Sequence, residues 1–329
     1  MRTVVFKNPP SIIGSGNMVG QKEGEGPLGN CFDRIVSDPM FGEKSWEAAE
    51  SKFLQGAARL ALESAGLERA DIMFSGDLQN QCTSTVFSVR ELDLPFFGIY
   101  GACSTFAEGL MLASMAVAGD FYPTAMAAAS SHFCSAEKQF RTPLEYGGQR
   151  TPTSQWTVTG AGAAIIGKSD KPPFIISATA GRIRDRGITD PNNMGAAMAP
   201  AFADTIITHF KETGTSPEDY DMILSGDLGR VGGGIAVELI GNAGYDISSV
   251  YNDCGCMIFD ESQDVHAGGS GCACSAAVLT AHILKEINAG NLGRVLFAAT
   301  GAMLSRSSTL RGESIPGISY AVSVSGEKL

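Results

Sequence analysis

A helical spacing of apolar residues appears between positions 45 and 66 of the chain. One face of this segment carries Ala49, Phe53, Ala57, Leu60 and Ala61. Apolar positions three and four residues apart are typical of an amphipathic helix packed on a core. Ser45 stands where a hydroxyl can cap the first turn, and Gly66 stands where a left-handed residue can end the last. The pattern predicts a helix between these two residues.

Further helices alternate with short apolar runs along the chain. The pattern predicts helices over residues 105–118, 203–210 and 276–287, and strands over residues 71–74, 124–129, 221–224 and 294–300. Short apolar runs without polar alternation are typical of strands that are buried on both faces. Helices that alternate with such strands predict mainly parallel sheets covered on both sides.

Two phrases of the sequence occur twice, in the same order. DIMFSGDL begins at Asp71 and returns as DMILSGDL at Asp221, while ACS begins at Ala102 and again at Ala273. Collinear repeats of this kind indicate one structural unit used twice. We therefore predict two α/β units, residues 1–170 and 171–329, packed as a five-layer α/β/α/β/α body.

The composition narrows the function classes. The chain has 329 residues, is 44% hydrophobic, and carries 24 Lys and Arg against 35 Asp and Glu, a formal net charge of −11. The basic residues are scattered, so the sequence predicts no nucleic-acid partner. It shows neither a signal peptide nor a run of about 20 apolar residues. We expect a cytoplasmic protein that reaches a membrane only through a protein partner.

Eight cysteines are present, four of them in two C-x-C pairs at Cys254/Cys256 and Cys272/Cys274. This spacing is tighter than that of structural zinc sites, and the neighbours are small and apolar. We expect free thiols and no metal. A Gly-Lys-Ser phrase occurs at residues 167–169, but it follows the apolar strand from Thr159 and not a glycine-rich loop between a strand and a helix, so no nucleotide or other cofactor is predicted.

Cys103 is the main candidate for chemistry. It lies between a predicted strand and an Ala/Met-rich helix. The positive end of that helix is expected to lower the pKa of the thiol, or to hold the carboxylate of a ligand instead. The alternative is a buried cysteine that only fills space beside a glycine turn.

Two of the four histidines are candidates for the same crevice. His132 follows the predicted strand 124–129, on the carboxyl side of the sheet where ligands of open α/β sheets gather. His266 precedes the loop 268–271 and is the second choice. His209 and His282 fall inside predicted helices, where a histidine with satisfied hydrogen bonds is the expected outcome.

Several phrases resemble a known family. A cysteine at the start of a buried helix, the strand from Thr159 and the two-unit repeat are similar to the thiolase and β-ketoacyl-synthase superfamily. Within it, the chain resembles the stage V sporulation protein AD family. The phrases that carry this likeness include SGDLQNQ from Ser75, FGIYGACST from Phe97, GITDPNNMGAAMAPA from Gly187 and AGGSGCACSA from Ala267.

The resemblance implies a role in spore formation. It implies that the chain binds dipicolinic acid with calcium, and supports the uptake of this compound into the developing spore. It also implies a place peripheral to the spore inner membrane, beside other stage V sporulation A membrane proteins. By analogy with the thiolase fold, a homodimer through an edge strand is expected.

The predicted ligand-binding residues are Cys103, Ser131, His132, Asp77, Asn80, Gln81, Gly269 and Ser270. Asp77 has a structural alternative, because its repeat partner Asp227 stands in the second unit, where no site is expected.

The competing hypothesis is an acyltransferase or condensing enzyme that uses Cys103 as nucleophile on a coenzyme A thioester. Thiolases pair this cysteine with a histidine from the second unit, but loops 268–274 and 299–303 contain none. Without His132 or His266 as a substitute, acyl transfer lacks its proton shuttle. A scaffold that binds only proteins is a third possibility.

Overall fold

The computed structural model describes residues 1–140 and 150–328. The strands are β1 Thr3–Val5, β2 Ser11–Gly20, β3 Ile35–Val36, β4 Ile72–Gly76, β5 Phe96–Gly98, β6 Thr124–Ser131, β7 Trp156–Thr157, β8 Gly160–Gly167, β9 Phe174–Thr179, β10 Met222–Ser225, β11 Tyr251–Asp253, β12 Gly269–Ser270, β13 Arg294–Ala302 and β14 Gly317–Ser325. The helices are α1 Gln21–Gly24, α2 Trp46–Ala65, α3 Thr83–Leu92, α4 Thr105–Ala118, α5 Phe133–Phe140, α6 Met194–Thr213, α7 Gly229–Gly241, α8 Cys254–Ile258, α9 Cys272–Val278, α10 Leu284–Asn288 and α11 Arg306–Leu310. A π turn, Leu279–Ile283, joins α9 to α10.

The same five-strand order occurs twice. The first sheet runs β5-β4-β6-β8-β2 and the second runs β11-β10-β13-β14-β9. One residue pair, Ser11 with Phe174, joins their edges. In each sheet the first three strands are parallel, and the last two run antiparallel to their neighbours. The duplication is confirmed, but the prediction of mainly parallel sheets is wrong for half of each sheet, because β8 and β14 run antiparallel to both of their neighbours.

The helices form three layers around the two sheets. Helices α2 and α3 cover the outer face of the first sheet, and α6 and α7 cover the outer face of the second. Helix α4 and the helix from Cys272 fill the space between the sheets, where their side chains are largely buried. This is the predicted five-layer arrangement.

Local signals explain which helices the pattern predicts well. Ser45 accepts a hydrogen bond from the Ala48 amide at 3.2 Å, and Gly66 ends α2 with φ 67°. Helix α6 begins at Met194, earlier than the predicted residue 203, because the Asn193 side chain caps it. Pro200 lies inside the helix. Proline inside a helix normally breaks it, which is why the pattern misses the first turns.

Among the residues described above, no helix combines the length and the apolar character needed to cross a bilayer.

The contact between β8 and α9 is unusually close. A Cβ placed on Gly162 would lie 2.5 Å from the main-chain carbon and oxygen of Ala276. Real Cβ atoms do not approach main-chain atoms that closely, so only glycine fits between this strand and helix. The contact sets the position of α9 relative to the first sheet.

We predict that Gly162→Ala destabilises the protein by about 1–3 kcal/mol, because the added methyl pushes α9 away from β8. Gly234→Ala is the matched control, since Gly234 lies in α7 with nothing within 4 Å of its Cβ position. There alanine should raise stability by up to about 1 kcal/mol. Urea unfolding of the two variants measures the difference. Equal stability of the two would contradict the proposed contact.

Candidate ligand-binding site

Cys103 lies in a tight turn just before α4. Ala102 adopts a left-handed φ of 50°, and the Ser104 hydroxyl donates to the Gly101 carbonyl at 2.6 Å. The Thr105 hydroxyl donates to the Ala102 carbonyl at 2.7 Å. These bonds close the turn and place the Cys103 side chain, 6% exposed, at the base of a pocket.

The pocket over Cys103 has an empty volume of about 730 Å³, its mouth included. Its walls come from both units of the fold. The lining residues are Leu78, Tyr100, Ala102, Cys103, Ala136, Glu137, Phe140, Gln155, Thr157, Pro191, Asn192, Met194, Ser270, Ala302 and Leu304. The described part of the lining is therefore mainly aromatic and apolar, with several uncharged polar groups and the acidic residue Glu137, and it includes no lysine or arginine.

A buried carboxylate lies beside the thiol. Asp227 accepts hydrogen bonds from Thr300 at 2.8 Å, from the Ser270 hydroxyl at 3.0 Å and from the Gly271 amide at 3.1 Å. The Ser270 oxygen in turn lies 3.9 Å from the Cys103 sulfur. Asp227 therefore contacts the lining residue Ser270, although the repeat predicts no site around it in the second unit.

Burial and the neighbouring Asp227 carboxylate raise the pKa of Cys103 well above its usual value. Burial also raises the pKa of Asp227 to about 6, against the opposing effect of its hydrogen bonds. The expectation of a lowered thiol pKa is therefore wrong, because desolvation outweighs the positive end of α4. Near neutral pH, Cys103 is a protonated thiol.

His132 does not line this pocket. Its Nδ1 accepts from the Cys134 amide at 3.1 Å, so Nε2 carries the proton and donates to the Pro39 carbonyl at 2.8 Å. The ring packs between Trp46 and Phe53 and borders a different cavity. Both ring nitrogens are used structurally.

The other histidines also lie away from Cys103. The His266 ring faces Asp264 at 3.5 Å, and the residue does not line the pocket. His209 is fully buried and bonded to Thr179 and Tyr220, each at 2.8 Å. No histidine is among the described residues that line the pocket.

Three further predicted residues have structural contacts. The Asp77 carboxylate binds the Gln79 amide and both the amide and hydroxyl of Thr85, at 2.6–2.7 Å, which favours its structural alternative. Ser131 donates to the Val158 carbonyl and accepts from the Ala273 amide. Gly269 contributes its carbonyl to a bond with Gln155. None of the three lines the pocket.

Asn80 and Gln81 line a second depression, which we call the outer cleft. It is lined by Glu47, Gln79, Asn80, Gln81, Cys82, Tyr100, Ser135, Lys138, Gln139, Phe140, Met303, Leu304, Ser305 and Arg306. Tyr100, Phe140 and Leu304 belong to both the outer cleft and the pocket. The predicted site thus divides into Cys103 and Ser270 in the pocket, and Asn80 and Gln81 in the cleft.

Sequence reasoning misses several pocket residues. Tyr100 directly precedes the GACS turn, and Asn192 lies within the phrase GITDPNNMGAAMAPA, so both had a signal. Phe140 also had one, since it lies within the family-like phrase EKQFRTPLEYGGQ that begins at Glu137, whereas Gln155 had none. Within residues 1–140 and 150–328, no group of three or more His, Cys, Asp and Glu could hold a metal.

Comparisons with known proteins identify relatives over nearly the whole chain. Residues 1–325 match the model of the family described as stage V sporulation protein AD. The chain is 45% identical to stage V sporulation protein AD of Bacillus subtilis (strain 168) over 323 residues, 98% of this chain and 96% of that protein.

Solved structures share the fold at low identity. The 3-oxoacyl-[acyl-carrier-protein] synthase III of Aquifex aeolicus VF5 superposes with a TM-score of 0.60 at 14% identity, covering 96% of this chain and 99% of that one. Acetamide-bound OleA of Xanthomonas campestris gives a TM-score of 0.62 at 14% identity, covering 98% of this chain and 100% of that one. These likenesses establish a thiolase-like fold.

The raised thiol pKa predicts low reactivity of Cys103. At about pH 8, iodoacetamide should modify Cys103 at least about tenfold more slowly than free cysteine, because the thiolate is scarce. Asp227→Asn should speed the reaction by removing the carboxylate that opposes the thiolate. Peptide mass spectrometry measures both rates, with half-buried Cys31 as internal reference. Rapid labelling of Cys103 below neutral pH would contradict the assignment.

Proposed function

This chain belongs to the stage V sporulation protein AD family and serves spore formation, and from this premise we propose that it binds dipicolinic acid in the pocket over Cys103. Through this binding it supports uptake of dipicolinic acid, as its calcium chelate, into the developing spore. The proposal places the protein at the inner membrane of the spore, alongside the other stage V sporulation A membrane proteins.

The observation that carries the proposal is the composition of the pocket. Tyr100 and Phe140 offer aromatic surface, and Thr157, Asn192 and Ser270 offer uncharged polar groups. A flat pyridine ring with two carboxyl groups suits a mostly apolar cavity with a few placed polar groups.

Acyl transfer is less well supported. A thiol nucleophile needs a base within hydrogen-bond reach. The described residues around Cys103 provide a hydroxyl and a carboxylate that favours the protonated thiol, but no histidine. We therefore propose binding rather than catalysis on the thiolase-like scaffold.

Calorimetric titration tests the ligand. We expect saturable binding of dipicolinate in the presence of calcium, weakened about three- to tenfold by Tyr100→Ala, because a stacking surface is lost. Phe121→Ala is the matched control, since Phe121 is 77% exposed just beyond the other end of α4. Equal binding by both variants would place the ligand elsewhere. A stable acyl adduct on Cys103 after exposure to acetyl-coenzyme A would instead favour the acyltransferase.

We also propose a homodimer through β5. This strand ends the first sheet, and Phe97 on it is half-exposed. Helix α3, which contacts β5, carries two more half-exposed apolar residues, Val86 and Phe87. The equivalent edge strand β11 carries no large exposed apolar side chain among the described residues. An apolar edge strand is a ready template for pairing with a second copy.

Phe97→Asp should convert a dimer to a monomer, because a buried charge on the paired strand is costly. Sedimentation velocity measures the change. Phe121→Asp, on an exposed residue outside this edge, should leave the assembly unchanged. A wild-type protein that sediments as a monomer at micromolar concentration would overturn the proposal.

A further inference from the structure

Two backbone carbonyls fix the orientation of the Gln155 side-chain amide. The side chain is 4% exposed and lines the pocket. Its Nε2 donates to the Asp227 carbonyl at 2.7 Å and to the Gly269 carbonyl at 2.9 Å. Both partners are acceptors, so only the amide nitrogen can face them. The amide cannot be reversed without placing its oxygen against two carbonyl oxygens.

The other end of this amide has no partner. Gln155 Oε1 is buried and accepts no hydrogen bond in the described structure. Buried polar atoms in proteins are almost always paired, and an exception at the wall of a cavity points to a ligand or a bound water. The free atom here is an acceptor, which restricts what can pair with it.

The charged groups around the pocket also favour a positively polarised partner. The titratable groups that line it are Tyr100 and Cys103 from the turn before α4 and Glu137 from α5. Asp227, from the loop after β10, lies behind this lining and accepts a hydrogen bond from the lining residue Ser270. With its pKa at about 6, Asp227 is mainly ionised at neutral pH. No lysine or arginine among the described lining residues offsets it.

We infer that the pocket binds its ligand with a positively polarised group placed against Gln155 Oε1. Resting on the proposed function, this means that dipicolinate enters as its calcium chelate or with a bound proton, and not as the free dianion. Gln155 is then the residue that selects the form of the ligand.

Two sources can supply that positive group. Dipicolinate offers calcium two carboxylates and a ring nitrogen, while calcium takes six to eight ligands, mostly oxygens, so an amide oxygen can fill one of the remaining positions. Alternatively, a protonated carboxyl or ring nitrogen donates a hydrogen bond to the same oxygen.

The outer cleft provides the contrasting surface. Arg306 and Lys138 lie there, the latter paired with Glu47 at 2.6 Å. A free dianion would be better accommodated by these cations than by the pocket. The test must therefore separate the two locations.

The first experiment titrates the wild-type protein with four probes: dipicolinate with a calcium chelator, calcium dipicolinate, pyridine-2,6-dicarboxamide and dimethyl dipicolinate. At about pH 8 we expect calcium dipicolinate to bind at least about tenfold more tightly than the dianion. The dicarboxamide, which carries N–H donors, should exceed the ester, which carries none, by a similar factor. If the proton is the source, calcium-free affinity rises as the pH falls, while the pH response of the dicarboxamide reports the protein groups alone.

A second experiment repeats the titrations with Gln155→Leu, which should abolish both preferences. Gln79→Leu is the matched control, since Gln79 is an equally buried glutamine that lines the outer cleft. It should retain both preferences. Urea unfolding of the two variants checks that each is folded.

The outcomes separate this inference from the proposed function. Equal affinity for dianion and chelate, with equal affinity for ester and dicarboxamide, overturns the role of Gln155 and leaves dipicolinate binding in place. Binding of the dicarboxamide alone supports the role of Gln155 and overturns dipicolinate as ligand. Binding of none of the four overturns both.

Discussion

The buried carboxylate of Asp227 holds together the segments that form the pocket. It bonds Thr300 at the end of β13 and the start of α9 at Ser270 and Gly271, while its own carbonyl receives Gln155. A buried carboxylate is costly unless it is hydrogen-bonded, so these partners must be present together. Three segments that are distant in sequence are therefore held at one aspartate residue. One of them carries Ser270, whose hydroxyl oxygen lies 3.9 Å from the Cys103 sulfur.

The phrase SGDL occurs in both units, but its two aspartates, Asp77 and Asp227, make different contacts. The Asp77 carboxylate accepts its hydrogen bonds from Gln79 and from Thr85 in the first turn of α3. The Asp227 carboxylate instead accepts a hydrogen bond from Ser270, beside Cys103. In the first unit Thr85 supplies both an amide and a hydroxyl. In the second, the amides of Leu228 and Gly229 at the start of α7 donate to Asp253 instead. The repeat therefore preserves backbone geometry while neighbouring side chains decide which copy reaches the pocket.

Local signals made the outer parts of the fold predictable. Helix α2 is specified by Ser45, its apolar face and Gly66, and α4 has the predicted bounds. The pocket was harder, since its chemistry depends on which way side chains turn after folding. His132 follows the predicted strand, but its ring turns to Pro39. The pKa of Cys103 depends on Asp227, over a hundred residues away, and no local pattern indicates that contact.

The contacts that disfavour catalysis at Cys103 also support the proposal that the pocket binds a ligand. A nucleophile requires a stabilised thiolate, but burial and Asp227 keep the proton on sulfur. The pocket lining then includes a thiol, a hydroxyl that already donates to Asp227, and Gln155, whose buried side-chain oxygen has no hydrogen-bond partner. Each pKa unit by which the thiol is raised corresponds to about 1.4 kcal/mol against the thiolate. Under the proposed function, a pocket with this excess of acceptors would stabilise a cation or a proton brought in by the ligand, and it would gain nothing from ionising its own cysteine.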